Sequence, residues 1–237
     1  MKRKGKAGDE MAYRAVFFDR DGTLTYNDTK VKEQTDNLII SWGGKPFPIV
    51  YDKMMELFEA ASEGRKPWYK DVNDEIAFFK RYYALMLEEF GLTDHLPERA
   101  DQIHQMTWLK SKAVHPEAVE VLTYFQSRGY RMGVISDTSP SLELTLEAVG
   151  LAKYFTSFTA SSLVGAGKPS PIIFNAALNA QNVTAAESLY VDDYDVEADG
   201  AREQGFTSFL IDRHNQHKGP WVIRSLKEMV DFVERNA

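Results

Sequence analysis

The sequence predicts an α/β fold: a Rossmann-like parallel sheet flanked by helices, with an all-helical cap domain inserted into it. Three observations predict this. From residue 113 onward, short apolar segments alternate with helical patterns, and that alternation implies a parallel sheet covered on both faces. An isolated apolar segment, 13–18 (YRAVFF), precedes this block and stops at a charged, Gly-containing turn. Between the two lies a mostly helical stretch, 28–112, too long for an ordinary connection. The expected division is a flexible tail at 1–12, a core domain made of 13–27 and 113–237, and a cap at 28–112.

Taken in order, 13–18 reads as a buried strand, rich in Val and aromatics. Within the cap, residues 72–90 carry Ile76, Phe79, Tyr83, Met86, Leu87 and Phe90 at three-and-four spacing, so they form a helix. Gly91 suits its end. Residues 51–63 and 97–110 read as further helices, and 41–48 as a loop. Pro116 opens a helix that Gly129 closes. Strand 130–136 follows, then helix 141–149 and strand 155–159. Ser170 suits an N-cap with Pro171 in the first turn of a helix running to about residue 181. Strand 188–193, helix 197–204, strand 206–211 and helix 223–235 complete the chain.

Composition narrows the function. The chain of 237 residues is 43% hydrophobic, enough for a sizeable core. Its net charge of −7 argues against non-specific nucleic-acid binding, which needs many cations. It contains no cysteine, which excludes disulfides, thiolate metal sites and Cys nucleophiles. The basic start, MKRKGKAGDE, lacks an apolar stretch behind it, and no run approaches the ~18 apolar residues of a membrane span. A cytoplasmic protein with no membrane or nucleic-acid partner is expected.

Ligands bind parallel sheets outside the carboxyl ends of the strands, and the chemistry-bearing residues fall at those ends. Asp19-Arg20-Asp21-Gly22-Thr23 directly follows the first strand. Two carboxylates so close repel unless a cation sits between them, and an oxygen-rich site suits Mg2+. One carboxylate can then act as nucleophile and the other as general acid/base. Gly22 permits tight backbone approach. Ser136 ends another strand and can donate to a phosphate oxygen. Lys168 precedes a capped helix and adds a cation to an anion site. YVDDYDVEADGA has five acids within 192–199. Each signal alone has a plain reading: Asp-Gly is a common turn, Ser a cap, and acids favour helix starts. Their order along one sheet is what points to a site.

With these motifs the chain resembles the haloacid dehalogenase superfamily, as a phosphatase-type member with a helical cap inserted after the first motif. The resemblance implies that Asp19 attacks phosphorus and forms an aspartyl-phosphate. It implies that Asp21 is the general acid/base and binds Mg2+ through its backbone carbonyl. Ser136 and Lys168 would hold the phosphoryl group. The expected phosphate-binding set is Gly22, Thr23, Ser136, Asp137 and Lys168, and the expected metal set Asp19, Asp21, Asp192, Asp193 and Glu197. Val191 stands where the family's last motif has Gly. Aligned on Gly200-Ala201, Asp192 is the metal acid, Asp193 takes a usual Ser/Thr position and Glu197 that of a second acid; Asp193 as ligand is the alternative. Asp21, absent from dehalogenases, argues against carbon–halogen cleavage. The expected activity is hydrolysis of a small-molecule phosphate monoester by a monomer or homodimer. The alternatives are a phosphomutase acting on a sugar phosphate and a non-catalytic binding module. Substrate contacts are expected from the cap's loop-like stretches: Trp42, Lys45, Arg65, Lys66 and Trp68. The five histidines read as structural or solvated.

Overall fold

A computed structural model describes residues 13–46, 50–66 and 69–236. The expected tail and Trp68 lie outside them. The chain begins with β1 (Ala15–Phe18) and β2 (Thr25–Asn27), then four helices, α1 (Thr29–Ser41), α2 (Tyr51–Ser62), α3 (Val72–Glu89) and α4 (Leu96–Thr107). After β3 (Lys112–Val114) come α5 (Ala118–Ser127), β4 (Arg131–Ser136), α6 (Leu142–Ala148), β5 (Ser157–Ala160) and the short α7 (Ser161–Val164). Then follow α8 (Pro171–Gln181), β6 (Ser188–Asp192), α9 (Asp195–Glu203), β7 (Thr207–Ile211), β8 (Val222–Ile223) and α10 (Lys227–Arg235).

The main sheet has the order β5-β4-β1-β6-β7-β8, and every neighbouring pair is parallel. The first strand is therefore central, with connections leaving to both sides, so its carboxyl end is the topological switch. Side chains of β1 alternate between two cores. Val16 and Phe18 join one cluster with Leu122, Phe125 and Leu189, while Ala15 and Phe17 join the other with Phe174 and Tyr190. Both faces are covered, which is why the strand reads as continuously apolar.

The helices α1–α4 build a third, separate core from Ile39, Leu57, Phe78, Tyr82, Met86 and Ile103. Asp71 caps α3 by accepting from the Asp74 N–H at 2.9 Å, and Gly91 follows its end with φ +75°. This is the inserted helical cap. It joins the sheet domain through an antiparallel ribbon, β2 with β3, that pairs Thr25 with Val114 and Asn27 with Lys112. Three-residue strands carry too little periodicity to be read from sequence.

Several boundaries differ from expectation: helix 97–110 ends at Thr107, the helix expected from Pro116 starts at Ala118, and strand 155–159 is Ser157–Ala160. The last helix starts at Lys227 and not near 223, because Val222 and Ile223 form an edge strand beside Leu210 and Ile211. Helix α9 begins at Asp195, two residues before the expected start. A buried carboxylate ties cap to core. Glu75 of α3 accepts from the Ser139 and Ser141 hydroxyls, each at 2.7 Å, and from the Ser141 N–H at 2.9 Å. Among the described residues no helix is long and apolar enough to cross a membrane.

Candidate active site

Three strand ends converge at the switch. Asp19 directly follows β1 and is held to the neighbouring strand by its N–H, which donates to the Val191 carbonyl at 2.9 Å. Asp192 ends β6, Asp193 follows it, and Ser136 ends β4. Asp19, Asp192 and Asp193 present carboxylate oxygens that lie within 4.8 Å of one another. Lys168, on the loop before α8, reaches in with Nζ 2.8 Å from Asp19 Oδ1, 2.7 Å from Asp192 Oδ2 and 2.6 Å from Glu197 Oε2. Tyr190 donates its hydroxyl to the same Asp192 oxygen.

Two glycines let these segments meet. Gly22 has φ +76°, and a Cβ there would stand 2.0 Å from Asp193 Oδ2. A Cβ on Gly200 would stand 2.3 Å from the Pro169 Cβ, so its absence lets α9 pack against the Lys168–Pro169 segment.

The electrostatics show an anionic excess. Burial, with Asp192 adding to it, raises the Asp19 carboxyl well above its ordinary value. Burial and then Asp192 raise Asp193 to about 6, and burial raises Glu197 to about 7 despite Lys168. Burial pushes the Lys168 ammonium down, but Tyr190, Asp19, Asp192 and Glu197 outweigh it and keep it well above the ordinary range. One lysine thus faces four acids, and three of these offer oxygens to a common point. That donor set fits a hard divalent cation, which takes oxygen ligands.

Of the five expected metal acids, the carboxylates of Asp19, Asp192 and Asp193 come together, so the structure brings both last-motif alternatives to Asp19. Glu197 does not join them; it lies on Lys168. The side chain of Asp21 turns to Arg20, with Oδ2 2.7 Å from Nη2, and to Lys112, with Oδ1 2.9 Å from Nζ. Burial would raise its pKa, but Arg20 and then Lys112 hold it down at about 2. Its carboxylate therefore does not join the Asp19, Asp192 and Asp193 cluster. Asp137 likewise uses its carboxylate on the Lys168 N–H, at 3.0 Å, so any anion contact falls to its backbone. Thr23 is fully buried and its hydroxyl has no partner among the described residues.

Among the described residues, the expected cap contacts do not line the cavity between cap and core. That cavity, of about 480 Å3, is lined by helix residues such as Val31, Phe79, Tyr83 and His104, and by Trp108 just beyond α4, not by Trp42, Lys45 or Arg65. Trp42 stacks beneath Arg99 within the cap, at 5.1 Å from the ring centroid. Arg65 pairs with Asp74 at 3.3 Å, and Lys45 and Lys66 are exposed. The loop positions looked accessible, yet the cap turns the helix faces toward the core.

Sequence reasoning also missed Arg20 and Arg213. Arg20 is buried and donates to Asp21, Thr138 at 2.9 Å and Thr145 at 3.1 Å. Arg213 holds the first motif from below, donating to the carbonyls of Gly22 at 3.0 Å and Thr23 at 2.8 Å. Arg20 sits inside the motif and could have been weighed; nothing marks Arg213.

The sequence profile of the haloacid dehalogenase-like hydrolases matches residues 13–205. The chain belongs to this family. Its relatives include a protein of Mycobacterium tuberculosis named a phosphatase, 26% identical over 92% of this chain and 96% of that one. A glyceraldehyde 3-phosphate phosphatase of Pyrococcus abyssi is 28% identical over 76% of this chain and 73% of that one. Among solved structures, a 2-haloacid dehalogenase of Pseudomonas syringae shares the fold with a TM-score of 0.68 at 21% identity, covering 95% of this chain and 100% of that one.

Proposed function

We propose that this hydrolase is a Mg2+-dependent phosphatase that cleaves a small-molecule phosphate monoester through an aspartyl-phosphate on Asp19. The observation that carries the reading is the meeting of Asp19, Asp192 and Asp193 oxygens within 4.8 Å beside Lys168. The cap is taken as 28–112, its two ends meeting at the β2–β3 ribbon.

Asp19, Asp192 and Asp193 would hold Mg2+ by their carboxylates, with the Asp21 carbonyl beside them. When bound, Mg2+ supplies positive charge against the transferring phosphoryl oxygens. Lys168 fixes one oxygen of Asp19 and offsets the repulsion between an anionic nucleophile and an anionic ester. The carboxylate of Asp19 attacks phosphorus, and the P–O bond to the alcohol breaks. Asp21 gives a proton to the departing oxygen; it then takes one from the water that attacks the acyl phosphate. Phosphate leaves and Asp19 is regenerated. In the pose described, Arg20 and Lys112 keep Asp21 ionised. Its acid role therefore requires the anionic ester to offset these two cations, so that Asp21 takes up a proton before the P–O bond breaks. Ser136, 2% exposed at the end of β4, stands ready to donate to the phosphoryl group.

A Mg2+-dependent phosphate-release screen over a metabolite panel tests this. Turnover is expected for the wild type and none for Asp19→Asn with its fold intact by circular dichroism. Equal turnover by the variant refutes the nucleophile. Recovery of an isomerised ester in place of free phosphate makes the protein a mutase.

A further inference from the structure

The walls of the cap–core cavity restrict what can depart from the phosphate. Resting on the phosphatase reading, we propose that the substrate is the phosphate monoester of an uncharged alcohol bearing a planar ring, and not a phosphorylated carboxylic acid.

Position comes first. The core side of the cavity includes Arg20 and Thr138. None of Asp19, Ser136, Lys168, Asp192 or Asp193 lines it, but Arg20 and Lys112 of its wall both hold the carboxylate of Asp21, the group that would protonate the leaving oxygen, so the alcohol of the ester extends into this space. Size comes next. About 480 Å3 falls within the range of roughly 300–1,000 Å3 that takes ring-sized ligands, and a two- or three-carbon acid would leave most of it unfilled. The cap side presents Val31 and the rings of Phe79, Tyr83 and Trp108, surfaces on which a planar group stacks.

Charge decides against an acid. The cations of the wall already have partners. Arg20 and Lys112 both pair with Asp21, at 2.7 and 2.9 Å, and Lys112 also donates to Asn27 at 2.8 Å. Lys32 pairs with Asp36 at 2.5 Å. Burial and Lys80 lower the pKa of His104, so it brings no extra cation. Asp28 adds a carboxylate to the lining. A carboxylate held against Arg20 or Lys112 would either break their pairs with Asp21 or be enclosed without a counter-ion, and either is costly; the Lys32–Asp36 pair, with its lysine half exposed, weighs little on either side.

The test measures kcat/KM for phosphate release by the full chain with Mg2+. Ring esters, uridine 5′-monophosphate and pyridoxal phosphate, are set against 2-phosphoglycolate and O-phosphoserine. At least one ring ester is expected to exceed both acids tenfold or more. Trp108→Ala, which removes a wall, and Val31→Phe, which fills the cavity from α1, are each expected to reduce that ratio at least tenfold. Acids turned over as well as rings, or a ratio unmoved in both variants, overturns the inference and leaves the phosphatase reading standing. No phosphate from any ester overturns that reading, and the inference with it.

Discussion

Lys168 has the most concentrated set of partners at the level of single residues. Its ammonium touches Asp19, Asp192 and Glu197 and is 1% exposed at the side chain. Removing it leaves buried carboxylates facing one another, and breaking a buried pair in this way costs about 3–5 kcal/mol. Lys168→Met is therefore expected to lower the Tm strongly in EDTA and much less in millimolar Mg2+, since a dication replaces part of the lost charge. An equal drop in both buffers, by thermal unfolding, would contradict the shared-cation geometry. Gly22 is the second sensitive position. Gly22→Ala pays the steric cost of φ +76° and pushes a methyl into Asp193. A fall of at least tenfold in Mg2+ affinity is expected by calorimetric titration; unchanged affinity would show that Asp193 is dispensable.

Between elements, cap and core are tied by the Glu75 carboxylate of α3 on the N-terminus of α6. It satisfies the Ser141 N–H and two hydroxyls at the wall of the cap–core cavity, where Glu75 and Ser141 are buried and Ser139 half-buried. Leaving such groups unpaired costs about 1–3 kcal/mol each. Glu75→Ala is expected to speed amide exchange in the first turns of α6 and α3 and to enlarge the radius of gyration in solution scattering. Neither change would mean that the cap is held by other contacts. The ribbon β2–β3 carries the other end of this coupling, because Lys112 on β3 also holds Asp21. A shift of the cap thus reaches the first motif through one strand.

At the scale of the whole molecule, the described residues form three apolar clusters, two against the faces of the sheet and one inside the cap. Because the cap core is separate, damage to it need not spread. Phe78→Ala, in the cap, and Leu122→Ala, in the sheet domain, should cost about 3–5 and about 2–5 kcal/mol respectively. Scanning calorimetry is expected to show an early cap transition in Phe78→Ala, and a shift of the main transition in Leu122→Ala. A single shared transition in both variants would make cap and core one cooperative unit.

The sequence by itself determined the layer architecture, the cap's place after the first strand, and the aspartates, serine and lysine at the sheet's switch. It could do so because period-2 and period-3.6 apolar patterns and turn residues are local, and because ligands collect where parallel strands end. Only the tertiary structure decided how those residues divide their partners. It assigned Glu197 to Lys168 and the Asp21 carboxylate to Arg20 and Lys112, and it gathered both Asp192 and Asp193 toward Asp19. It also moved the cap's contact surface from the loops to the helix faces lining the cavity. The physical reason is distance along the chain: Lys112 and Asp21, or Val31 and Thr138, carry no mutual signal in the text and become neighbours only when the β2–β3 ribbon lays the cap over the sheet.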